Sequence, residues 1–137
     1  MQSWRQQGSI WQLRPRQPQG LIEFIGGSYL AATPQVSYRR ILEDLCDAGL
    51  AIHAWAYVPG FDHQSQAKEA WMAFRQSRRQ LEDRSGVLPP PLRLGHSLGC
   101  KLHLLAPDGG RGSHGLVALS CNNFQADRSI PLLGDLA

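Results

Sequence analysis

Lysine is scarce in this sequence: Lys68 and Lys101 are its only two, and arginine supplies the rest of the 14 basic residues. Against 11 acids the formal net charge is +3, too small a surplus to argue for a nucleic-acid partner. Cysteine is scarce as well. Cys46, Cys100 and Cys121 are odd in number and widely spaced and form no C-x-x-C pair, which excludes a disulfide framework and leaves them as reduced, small core residues. No apolar run approaches the roughly 18 residues that span a bilayer, and Met1 to Gly20 holds no hydrophobic signal core. A soluble, cytoplasmic protein is expected. Low-complexity tracts and repeats are missing, so disordered, collagen-like and solenoid architectures drop out. The five histidines and three cysteines show no ligand spacing, and no G-x-G-x-x-G accompanies Gly26-Gly27. Neither a metal nor a cofactor is expected.

What is present is a regular alternation. With 137 residues there is room for one domain over 1–137. Residues 1–20 read as a polar lead-in, with Arg5, Arg14 and Arg16, carrying one edge strand at Ser9 to Leu13. The core occupies 21–137. Leu21 to Ile25 is a short apolar run closed by Gly26-Gly27, as in a buried strand. A helix follows, with Thr33 as N-cap, Pro34 in the first turn, and Tyr38, Ile41, Leu42, Leu45 and Cys46 forming its apolar stripe before Gly49. Leu50 to Val58 reads as a second buried strand. A long helix is predicted from Ser65 to Arg84, its arginines lying on a solvated face with Glu82 and Asp83. Gly86 and Pro89-Pro90-Pro91 end it. Leu92 to Leu94 is a very short strand, Leu98, Leu102 and Leu105 make a helical stripe, and Leu116 to Ser120 is a last strand. The order predicts a three-layer α/β fold with a mostly parallel sheet of about five strands.

Between the short strand and the helix stands Gly95-His96-Ser97-Leu98-Gly99, a G-x-S-x-G pentapeptide. The pattern alone is weak, and its setting gives it weight. A strand-to-helix reversal holds the central serine in strained backbone, and glycines two residues to either side remove side chains that would collide. Ser97 is the candidate nucleophile. The Leu98 amide, at the start of the helix, is one candidate oxyanion donor, and Gly27 or Ser28, in the loop after the first buried strand, is the other.

Beyond these residues, FIGGSYLAATPQVSYRRILEDL (Phe24 to Leu45), the FDH of Phe61 to His63, GHSLGCKLHLL (Gly95 to Leu105) and LSCNNFQADRSIPLL (Leu119 to Leu133) make the chain resemble the family called domain of unknown function 1350. That family is α/β-hydrolase-like and found in cyanobacteria and plastids, so the resemblance implies that fold, a candidate nucleophile, and a plastid location if the source is a plant. It names no reaction.

A serine hydroxyl needs a base, usually histidine, oriented by an acid. In hydrolases of this fold both follow the nucleophile on later loops. No histidine follows His114 in this sequence. His53, His63, His96 and His103 read as structural, and Asp127, after the last strand, is the one well-placed acid. The sequence therefore reads as the N-terminal part of a serine hydrolase for an ester or thioester, truncated and inactive. The competing reading is a binding or assembly module that uses the unpaired edge of 116–120 for self-association or a partner.

Overall fold

A computed structural model of the chain describes residues 3–119. These residues form one sheet in the order β1-β2-β4-β3-β5-β6. Its strands are β1 (Arg5–Gln7), β2 (Ile10–Leu13), β3 (Gly20–Ile25), β4 (Leu50–Trp55), β5 (Leu92–His96) and β6 (Gly115–Leu119). The helices are α1 (Pro34–Ser37), α2 (Arg39–Asp47), α3 (His63–Ser85) and α4 (Leu98–Leu104). β3 pairs in parallel with β4 and β5, and β5 with β6, while β1 and β2 join the far side antiparallel. The α/β fold with a mostly parallel sheet is as expected, with six strands among the described residues in place of about five.

The extra strand corrects the reading of the lead-in. Ser9 to Leu13 is not an edge: β2 lies between β4 and β1, and β1 takes the outer position. Arg5–Gln7 is polar and exposed on both sides, so no apolar alternation marks it. It is held by hairpin pairing to β2 across a turn in which Gly8 adopts φ 59°. The first helix also differs. It breaks at Tyr38 (φ −118°) into α1 and α2, because the Tyr38 ring is drawn to the loop after β3. Thr33 makes no capping bond, its hydroxyl lying 3.3 Å from that of Ser37. Ile41 faces water, and Leu42 and Cys46 carry the buried stripe. α3 is capped by Asp62, whose Oδ1 accepts from the Ser65 amide at 3.0 Å.

Strand alternation divides the core into two unlike layers. On the α2 side Leu13, Ile22, Phe24, Ile52, Ala54 and Leu94 pack with Leu42 and Cys46, an entirely apolar cluster. On the α3 side an apolar cluster near the strand ends (Ile10, Ile25, Trp55, Ala70, Phe74, Leu98) and a smaller one near the strand starts (Leu21, Ala51, Leu81, Leu88) are separate. Between them runs a polar row. Arg5 pairs with Gln12, Gln12 with His53, His53 with Glu23, and Glu23 with Arg93. Its inner members are buried, His53 at 2% and Glu23 at 4% exposure.

At the β5 side this row is closed by charge pairing. Arg93 donates both fork nitrogens to Asp108, at 2.9 and 2.6 Å, and its Nε lies 3.7 Å from Glu23. With the fork engaged elsewhere, burial dominates at Glu23 and pushes its carboxyl up to about 7, the Arg93 charge opposing. Hydrogen bonds from Arg93 hold Asp108 well below the usual carboxylate range.

Candidate active site

β5 runs directly into α4, and Ser97 occupies the reversal with φ 55° and ψ −120°. Among the described residues it is the only non-glycine residue with positive φ, a conformation that costs about 1–3 kcal/mol and persists only where the surroundings impose it. The surroundings here are backbone. A Cβ on Gly99 would lie on the carbonyl of Ile25, and one on Gly95 would come within 2.7 Å of the Cys100 amide. Both glycines of the pentapeptide are therefore sterically required, so that α4 can pack hard against the ends of β3 and β5. Ser97 itself is half-buried at the carboxyl ends of the parallel strands.

The loop after β3 closes over this reversal. A Cβ on Gly27 would stand 3.1 Å from the Ser97 Cβ and 3.3 Å from His96 Nδ1, so glycine is what permits the approach. Two tyrosines fix the loop. Tyr57 donates to the Gly26 carbonyl at 2.6 Å and stacks on Trp55 with centroids 4.4 Å apart. Tyr38 Oη accepts from the Gly27 amide at 2.8 Å and shares a 2.8 Å hydrogen bond with His96 Nδ1, its ring lying edge-on to Phe24 and His96. Burial pushes the Tyr38 hydroxyl above its ordinary value, so it stays protonated. Tyr38, which fits a helix stripe in the sequence, and Tyr57, which falls in an apolar strand run, are both supports of the serine loop. The Gly27 amide, a candidate oxyanion donor from sequence, is already bonded to Tyr38.

None of the five histidines hydrogen-bonds Ser97. His96 turns to Tyr38. His103 lies in α4 with Nε2 between the carbonyls of Glu23 and Leu94, at 3.0 and 3.2 Å, and so must donate; burial pushes it down to about 3. His53 is buried in β4 and pushed down to about 4 by burial. His63 begins α3, buried, with no partner for Nε2 among the described residues. His114 precedes β6, whose Gly115 pairs with Leu92 at the start of β5. That places it a strand length from Ser97, about 16 Å at 3.3 Å per residue. Cys46 and Cys100 are buried and unbridged, as expected of core thiols. Asp127 and Cys121 lie outside the described residues. Among the described residues no helix is long and apolar enough to cross a membrane.

A family model described as "Protein of unknown function (DUF1350)" matches residues 3–137. No curated protein matches significantly. Among solved structures, the Francisella virulence factor BioJ is similar with TM-score 0.67 at 14% identity, covering 88% of this chain and 44% of that one. Bacillus licheniformis lipase BlEst2 gives 0.63 at 13% identity, covering 79% and 43%. A thermostable carboxyl esterase from Bacillus coagulans gives 0.56 at 18% identity, covering 86% and 43%. The chain thus spans less than half the length of these structures, and the shared feature is the α/β-hydrolase fold.

Proposed function

Because the chain belongs to the DUF1350 family of proteins of unknown function and has the α/β-hydrolase fold, we propose that it acts in acyl transfer on an ester or thioester with Ser97 as nucleophile. The observation that carries this is the backbone of Ser97, strained at φ 55° and enforced by Gly95 and Gly99. A simple turn needs no such conformation at a non-glycine residue. Its effect is to stand a hydroxyl at the carboxyl ends of the strands, where open α/β sheets bind ligands.

Developing negative charge on the substrate carbonyl would be met by the Leu98 amide, one of the α4 amides with no partner inside the helix. Ser28, in the same loop after β3, is the proposed second donor, and the Gly27 amide is held by Tyr38. Asp127 is the proposed acid. Because no histidine hydrogen-bonds Ser97 among the described residues, this chain alone is expected to turn over no ester at an enzymatic rate. Imidazole in solution should substitute in part for the base. The test is hydrolysis of p-nitrophenyl butyrate and a butyryl thioester with and without imidazole: a Ser97-dependent rate that appears with imidazole and vanishes in Ser97→Ala supports the reading. An imidazole rate equal in both proteins overturns it.

A second reading, a non-catalytic module, draws on β6. Among the described residues this strand forms one edge of the sheet, with Val117 and Leu119 exposed at 41% and 38%. Monomeric behaviour at high concentration with protected β6 amides would count against self-association there.

A further inference from the structure

Opposite the closed end of the polar row, the row opens into a cleft of about 300 Å³ between the β1–β2 hairpin and the C-terminal half of α3. His53 and Ser77, at 2% and 4% exposure, lie at its floor. Gln12, Gln80 and Leu81 wall it, and Arg5, Arg14 and Arg84 stand at its rim. Among the described residues no carboxylate lines it. None of these three arginines takes part in an ion pair among the described residues, whereas Arg39, Arg78 and Arg93 each do. Of the two acids just before Arg84 in sequence, Glu82 accepts from the Leu88 amide at 2.9 Å and faces Arg78 at 3.6 Å, and Asp83 is exposed and makes no ion pair among the described residues. Among the described residues His53 Nδ1 at the floor is buried without a partner, and so is Gln80 Oε1 in the wall.

Three guanidinium groups around one recess, without an ion pair among the described residues, repel one another, and a multiply charged oxyanion would relieve that repulsion while accepting from their forks. We propose that this cleft is a binding site for a phosphoryl group, with Arg5, Arg14 and Arg84 holding its oxygens and His53 donating from the floor, directly or through one water. The buried imidazole then gains the partner it lacks. The volume is at the lower limit of small-molecule sites, enough for a phosphoryl group and a few attached atoms. Inorganic phosphate and a small phosphate monoester share this chemistry. The site is distinct from Ser97: α3 leads from the end of β4 back to the start of β5, so Arg84 in its last turn lies at the end of the sheet away from the serine.

Isothermal titration calorimetry with inorganic phosphate and with glycerol 3-phosphate, at constant ionic strength, tests this in the full chain. Wild type should saturate at one equivalent. Arg14→Gln and Arg84→Gln, both at exposed positions, should each weaken binding at least tenfold, and Arg40→Gln on α2 should leave it unchanged. Tighter binding of glycerol 3-phosphate would mark an organic phosphate as the ligand, and equal binding a free anion. The His53 ring signals in an NMR titration should shift with the same midpoint. Binding that fails to saturate, or that Arg40→Gln weakens as much as Arg14→Gln, would overturn the proposal and leave a solvated basic surface.

Discussion

At one end of the sheet Ser97 is fixed almost entirely by main chain: two glycines whose missing side chains let α4 meet β3, a positive φ, and a loop tied by two tyrosines. At the other end, on the α3 face, Arg5, Arg14, His53 and Arg84 converge from four separate segments through strand register and helix crossing. A site made by backbone is compressed into consecutive residues. A site made by side chains is spread over the chain, and each of its members looks ordinary where it stands.

The largest effect that could break this contrast is at Gly99. Gly99→Ala places a methyl group on the Ile25 carbonyl, which cannot move without parting β3 from α4, and a loss of at least about 4 kcal/mol in denaturant unfolding is expected. Arg93→Met strips Asp108 and Glu23 of their shared cation inside the closed end of the polar row. It should cost about 3–5 kcal/mol, with Arg93→Met/Asp108→Asn recovering part of it.

The row also sets how stability follows pH. Between about pH 4.5 and 6.5 unfolding lets His53 and His103 take up protons, since their folded values lie at about 4 and 3 against 6.5. In the same window it releases a proton from Glu23, whose folded value is about 7 against 4.5. Two protons gained and one lost make stability rise with pH by about 1.4 kcal/mol per unit, and His63, also pushed down by burial, acts in the same direction. Glu23→Gln should steepen the rise and His53→Gln should bring it close to flat, as read by urea midpoints across this range. The smallest effect belongs to the serine. Ser97→Gly, which relieves the strained φ, should raise stability by about 1 kcal/mol.

The same contrast explains what could be read from residue order. G-x-S-x-G between a strand and a helix exposes the reversal because its glycines serve neighbours two residues away. The alternating pattern likewise located five of the six strands among the described residues and the long α3. Arg5–Gln7 carries no apolar period and became a strand by pairing alone. LIEFI and LAIHAWAYV read as apolar runs, so Glu23 and His53 passed as single polar residues, and only register shows them adjacent. Arg14 read as lead-in and the α3 arginines as solvated face, since nothing local brings positions 14 and 84 together. Tyr38 fitted a helix period while breaking the helix to reach Gly27.

The central claim is that Ser97 is preorganised for attack but has no imidazole hydrogen-bonded to it among the described residues. Its most direct test is labelling by a fluorophosphonate with peptide mass spectrometry, with and without added imidazole. Negligible labelling alone and selective labelling of Ser97 over the other serines with imidazole is the predicted result. Rapid labelling of Ser97 without imidazole, or no preference for Ser97 with it, would contradict the account.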